Sequence, residues 1–260
     1  MPLAKVIRAF LLALVVAALA AATASGDEAL VEVNDIVLHA DAGFQPQTLP
    51  KRRFAPIQFQ GHLEISARRG GGPPQLQQAL IDFDRDGRLS VAGLPGCAPE
   101  SIAEQGTAEA RQTCRGAIVG SGHIATGIAS PLGSLSERAA LTIFNGPALV
   151  TGPSVVLHAR TLLPTPQTYA ILVPIERRRG GFRYRARLEL PPLAGGLGAL
   201  THIDAKIGRR YKFEGRPRSY VSARCSDNVL QTHGHFLFAD GTVISGLIEK
   251  YCNDKQREAG

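Results

Sequence analysis

Three aspartates at alternating positions ahead of a glycine, Asp82-Phe-Asp84-Arg-Asp86-Gly87, are the residues of this 260-residue chain whose spacing comes nearest to a metal site. An EF-hand loop takes calcium ligands from positions 1, 3 and 5 and turns on a glycine at position 6. Its twelfth residue must be a carboxylate supplying two oxygens, and here that residue is Gly93. The same stretch fits a hairpin. With Arg85-Asp86-Gly87 as a three-residue loop and Gly87 in the left-handed bulge position, Phe83 faces Leu89, Ile81 faces Val91 and Asp84 faces Arg88. The aspartates are then the polar face of a strand.

His233-Gly234-His235 places two imidazoles on one side of a strand, as zinc-binding β-proteins do. A zinc site needs at least one more ligand, and spacing selects none of His62, His123, His158 and His202. Ser121 and His123 also share a strand face, but no G-x-S-x-G elbow or third member accompanies them. H-E-x-x-H and the phosphate-binding glycine loop are absent as well. The sequence therefore assigns no catalytic residue, no metal ligand and no cofactor.

Charge is the remaining signal. Between Glu176 and Arg224, thirteen basic side chains face four acidic ones, an excess of +9, with Tyr184, Tyr211, Phe213 and Tyr220 interleaved. Arg183, Arg185 and Arg187 alternate on one strand face, and Arg210 and Arg218 follow downstream. Such a face attracts anions if neighbouring strands merge it into one surface. Solvated strands also carry arginine simply as their polar face and as edge protection.

These residues need elements to position them, and the elements are strands. In Phe182–Leu190 the residues Phe182, Tyr184, Ala186, Leu188 and Leu190 alternate with charged neighbours, and Ile57, Phe59, Leu63 and Ile65 repeat the pattern. About a dozen short β-rich runs, among them Val31–Leu38, are separated by turn signals from the chain's 28 glycines and 17 prolines. Only Thr107–Cys114 reads as a short helix, with Thr107 as its N-cap. The pattern predicts an all-β fold, an antiparallel sandwich or a curled, partly closed barrel.

Four cysteines allow three pairings. Cys97 with Cys114 and Cys225 with Cys252 each close a short local unit, and bridges of that loop size contribute about 3 kcal/mol each. The first loop has Ile102 as its one large apolar residue, and the second brackets a hairpin turning at Asp240-Gly241. Cysteine pairing implies an oxidising compartment. At the start of the chain, Lys5 and Arg8 precede an apolar run from Ala9 to Ala22, and Ala22-Thr23-Ala24 has the small residues of a cleavage site. Residues 1–24 are therefore expected to be a secretory signal peptide, leaving no transmembrane segment. The chain carries +7, of which Lys5 and Arg8 supply two, so +5 remains on the mature protein. Residues 25–260 are expected to form one secreted domain with residues 25–53 as a loosely held arm.

Leu49-Pro50-Lys51-Arg52, Phe54-Ala-Pro-Ile57, Gly93-Leu-Pro95 before Cys97, Phe144-Asn-Gly146, Ala199-Leu-Thr-His202, Ser219-Tyr220 and Phe238-Ala-Asp-Gly-Thr242 ahead of Cys252 run through most of the chain. In these segments the chain resembles a family of uncharacterised secreted four-cysteine all-β proteins of high-GC Gram-positive bacteria. The resemblance implies secretion and the four-cysteine framework, and no activity. The expected function is that of a non-catalytic domain, extracellular or on the cell envelope. Its basic face, carried by Arg183, Arg185, Arg187, Arg210 and Arg218, binds an anionic envelope polymer or another extracellular polyanion. The alternative is a secreted hydrolase or metal-dependent enzyme whose site is assembled from distant residues. No specific nucleic-acid partner is expected, and no pattern sets the oligomeric state.

Overall fold

The computed structural model of the protein describes residues 22–130 and 133–253. The signal-peptide expectation falls on residues 1–24, of which 1–21 lie outside the described residues. The strands are β1 (Ala22–Gly26), β2 (Glu28–Val33), β3 (Ile36–Gln45), β4 (Ala55–Pro56), β5 (Gln58–Ala67), β6 (Leu76–Asp84), β7 (Gly87–Leu89), β8 (Ile118–Ser130) and β9 (Gly133–Asn145). They continue with β10 (Ser154–Thr161), β11 (Gln167–Arg177), β12 (Phe182–Glu189), β13 (Gly198–Ile207), β14 (Arg210–Phe213), β15 (Arg216–Ser219), β16 (Val221–Ala223), β17 (Val229–Phe238) and β18 (Val243–Tyr251). Among the described residues one α-helix, α1 (Thr107–Thr113), lies in the first disulfide loop. Its N-cap is Gly106, and Thr107 is already helical.

Thirteen strands form one sheet in the order β1-β18-β17-β6-β12-β11-β10-β9-β8-β13-β5-β3-β2, antiparallel throughout except where β1 pairs with β18. Since only Asp27 separates β1 from β2, the two ends of the sheet are one continuous piece of chain. Strands β2 and β3 come to lie against β18, and the sheet curls into a nearly closed barrel. Three contacts stitch this seam. Asn34 Nδ2 donates to Thr242 Oγ1 at 3.2 Å, Lys250 pairs with Asp41 at 2.9 Å, and Leu49 N donates to the Cys252 carbonyl at 3.1 Å.

Alternation decides what each strand buries. In β3, Ile36, Leu38, Ala40, Ala42 and Phe44 are buried while His39 and Asp41 are on the outer side. The inward sets of the wall strands from β2 onward merge into two adjoining apolar clusters around Leu38, Ile65, Phe236 and Ile244 and around Leu141, Ile143, Val155 and Tyr220. The outer wall carries charged and polar residues such as His62, Glu64, Arg185 and Asp204. This is the reverse of a barrel that crosses lipid, whose outer band is apolar. Among the described residues no helix is long and apolar enough to span a membrane.

Both disulfides are formed as the spacing suggested, Cys97 with Cys114 and Cys225 with Cys252. The first loop folds onto the outer wall, where Ile102 and Ala110 are fully buried against Phe144 and Val156. Ile102 thus adds burial to what the covalent staple holds. The second bridge sits at the barrel end where Phe44, Leu49, Ile57 and Ala223 form a separate small core. At that end a three-stranded sheet, β4-β16-β7, covers the barrel mouth.

Several local expectations give way to tertiary pairing. The run Val31–Leu38 is not one strand but a tight hairpin between β2 and β3, with Asn34 at φ +56°. Residues 25–53, expected as a loose arm, contain these two wall strands, and β3 pairs along its whole length with β5. The hairpin proposed around Asp86 does not form. Both edges of β6 are taken by β12 and β17, so β7 leaves the wall and pairs with β16 instead. Gly87 accordingly does not adopt the left-handed conformation.

Candidate functional site

Arg183 is the extra residue of a β-bulge. Phe182 pairs with Asp84 and Tyr184 with Phe83, leaving Arg183 with no partner across the ladder. A bulge re-aims the side chain it inserts. Here the guanidinium lies 5.6 Å from the ring centroid of Phe54, in the segment leading into β4. Arg88, from β7, approaches the same ring at 5.6 Å, and Arg224, just after β16, at 5.3 Å. Three elements at the covered barrel end thus direct three guanidiniums at one half-buried aromatic ring.

Each cation–ring contact contributes about 0.5–1 kcal/mol. Only Arg224 is neutralised, by Asp86 Oδ1 at 2.7 Å. Among the described residues, Arg88 and Arg183 have no carboxylate within ion-pairing distance. Lys51, Arg52 and Arg53 immediately before Phe54 are exposed, as are Arg178 and Arg179 on the loop whose Arg178 N–H bonds to the Arg183 carbonyl at 2.8 Å. The segments that adjoin Phe54 and Arg183 thus carry five further exposed basic side chains.

The other arginines named from sequence lie elsewhere. Arg185 makes a two-pronged pair with buried Asp82, Nε to Oδ1 at 2.8 Å and Nη2 to Oδ2 at 2.6 Å. Arg187 pairs with Glu176 at 3.2 Å. Arg210 and Arg218 are exposed on the β14–β15 hairpin, where Arg210 opposes Ser219 and Arg218 opposes Tyr211. The alternation of β12 therefore does not merge its arginines into one free face, because two of the three meet acids on neighbouring strands.

The aspartate series is structural. Asp84 accepts from the backbone N–H of Asp86 at 2.7 Å and of Gln231 at 2.9 Å. Burial still pushes its carboxyl above the ordinary value. In Asp86 burial pushes the same way, but bonds from Ser226 and Arg224 outweigh it and hold the group below the ordinary range. His233 and His235 lie on the outer wall with separate neighbours, Asp82 at 3.7 Å and Ser245 Oγ at 2.9 Å, and meet no third ligand among the described residues. His158 is fully buried beneath the first disulfide loop, Nε2 3.2 Å from the Gln105 carbonyl oxygen, and burial pushes its pKa down. Ser121 and His123 line a polar groove on the outer wall together with His62, Asp204, Lys206 and Arg111 of α1.

Beneath the three-stranded cover lies an apolar cavity of about 170 Å³ lined by Phe59, Phe83, Ile175, Tyr184 and Tyr220 among others. Tyr220 is completely buried, and its hydroxyl has no hydrogen-bond partner among the described residues. Burial drives this phenol far above its ordinary pKa. An unpaired buried hydroxyl costs about 1–3 kcal/mol, so Tyr220→Phe is expected to raise stability by about 1 kcal/mol. The urea unfolding midpoint should increase with an unchanged slope. A lower midpoint would mean that the hydroxyl is bonded in solution.

Sequence reasoning found Arg183 but not its companions, since Phe54, Arg88 and Arg224 belong to three segments that only the barrel cover brings together. The chain matches no family model, no curated protein and no solved structure.

Proposed function

We propose that the protein is an extracellular or cell-envelope β-barrel domain that binds an anionic polymer at its covered end, with Arg88 and Arg183 as the primary contacts. The observation that carries this reading is the convergence of three guanidiniums on Phe54 with acid compensation for one. An anionic group bound there supplies the acid partner that Arg88 and Arg183 both lack among the described residues. Exposed Lys51, Arg52, Arg53, Arg178 and Arg179 extend the positive field along a polymer. Guanidiniums suit carboxylate, sulfate and phosphate alike through paired N–H donors. The two disulfides fit an oxidising compartment.

The test is salt elution of the purified protein from immobilised heparin. Arg88→Ser with Arg183→Ser is expected to elute at clearly lower salt than the parent. In a solution titration with soluble heparin, the salt dependence of binding should lose roughly one unit of slope per lost contact. Arg210→Ser with Arg218→Ser removes the same charge from the exposed hairpin and should shift elution little. Equal shifts from the two variants would mean that net charge alone governs retention, and the site at Phe54 would be abandoned.

A further inference from the structure

On the opposite side of the chemistry from the arginines, the outer wall carries a histidine–carboxylate cluster built by strand register. Strand β5 pairs with β13 so that His62 opposes Asp204 and Glu64 opposes His202, all four on the outward face. His62 Nδ1 lies 2.9 Å from Asp204 Oδ1, and His202 Nε2 lies 2.6 Å from Asp204 Oδ2. The second nitrogens of the two rings, His62 Nε2 and His202 Nδ1, lie 3.7 Å and 3.6 Å from a single oxygen of Glu64. The rings stand edge to face with centroids 5.0 Å apart. Both rings are half-buried, and His62 and Asp204 line a groove of about 610 Å³ that is open to solvent.

A neutral imidazole has one N–H and one bare nitrogen. With carboxylate oxygens facing all four ring nitrogens, each neutral ring points a lone pair at an acid oxygen. A bound divalent cation removes that conflict, because it takes the lone pairs of both imidazoles and of the carboxylate together. One ligand atom from each of His62, His202 and Asp204 can be chosen so that all three lie within 4.8 Å of one another. Ligands held about 2.1 Å from a tetrahedral ion are separated by about 3.4 Å, so the shorter contacts need to open by roughly 0.5–0.8 Å. Side-chain rotation at a partly exposed site supplies that. Two imidazoles and one carboxylate are the donor set of zinc and its transition-metal neighbours, not of calcium or magnesium, which take oxygen.

We infer that His62, His202 and Asp204 form a binding site for one zinc-class divalent transition-metal ion, with its fourth position open to the groove. Glu64 takes the N–H that each ligating ring turns away from the metal, the arrangement that fixes imidazole orientation at such centres. The open position faces a groove whose walls carry Ser121, His123, Lys206 and Arg111. The site is independent of the anion-binding rim, since the two share no residue.

Isothermal titration of the full chain with zinc chloride at neutral pH is expected to show one saturable site per chain, with magnesium and calcium giving no heat of binding. Cobalt(II) should give the visible absorption of a four- or five-coordinate ion. Zinc should also raise the thermal midpoint. His202→Gln and Asp204→Asn are expected to weaken zinc roughly 100-fold, as loss of one ligand of three requires. His233→Gln with His235→Gln removes two histidines from the outer wall outside the cluster and should leave affinity unchanged. Far-ultraviolet dichroism of each variant establishes that the barrel is intact. No saturable zinc site in the parent chain, or equal loss in the His233/His235 variant, would overturn the assignment.

Discussion

Replacing Asp86 with alanine is expected to cost about 3 kcal/mol of folding stability, one of the two largest effects we anticipate for a short list of substitutions. Asp86 is fully buried, and both its oxygens are used. Oδ1 takes Arg224 Nε at 2.7 Å and Oδ2 takes the Ser226 N–H at 2.7 Å, while its carbonyl accepts the Arg224 N–H at 3.1 Å. Alanine takes the acceptor from the Ser226 N–H and frees a third guanidinium beside Phe54. Asparagine is expected to fare only slightly better, because its amide sets an N–H against one of two donors. The sign of the pH dependence follows. The folded carboxyl titrates below its unfolded value of 3.8, so its stabilisation is complete above that value and is lost as pH falls through the folded pKa. Chemical denaturation at pH 7 and across the acid range checks both statements. An alanine variant within about 0.5 kcal/mol of the parent, the range of an ordinary surface change, would refute the role given to this residue.

Opening the Cys225–Cys252 bridge by double replacement with serine is expected to cost about 3–4 kcal/mol. The separation of 27 residues sets the chain entropy released to the unfolded state. Both sulfurs are fully buried in the small core with Phe44, Leu49 and Ile57, so two serine hydroxyls also enter an apolar setting. The loss should reach function as well, since this core supports the cover that positions Arg88 and Arg224. Heparin retention should therefore fall with stability. The Cys97–Cys114 variant, whose loop rests on the far outer wall, should lose stability and keep retention. Equal retention in both would separate the cover from the rim.

How much of this was legible in the sequence depends on the range of the interaction. Cysteine pairing was, because each bridge closes a unit of 17 or 27 residues with local logic. The inward placement of Tyr184, Ala186 and Leu188 was, because alternation needs no partner to be read, whereas Phe182, read as part of the same face, lies beside His233 on the outer wall. The bulge at Arg183 was not, since it depends on the register of β6 against β12. Asn34-Asp35 carried a turn signal inside an otherwise continuous β-rich run, and the run concealed it. The Asp86 hairpin looked locally sound with two apolar pairs. It failed because β12 and β17 occupy both edges of β6, a competition no local window contains. The histidines illustrate the limit most clearly. His62 and Asp204 stand 142 positions apart, and only the adjacency of β5 and β13 makes them neighbours.

The seam has a consequence for the timing of folding. Its contacts join the first wall strands to the last, and Asn34 meets Thr242 across 208 residues. Loop closure over such a span is entropically expensive, and topologies dominated by distant pairings fold slowly. Until residues 243–251 are available, β1 and β17 each lack a neighbour and the ring stands open. A chain emerging from its N-terminus thus stays uncommitted to the closed form until its last strand arrives.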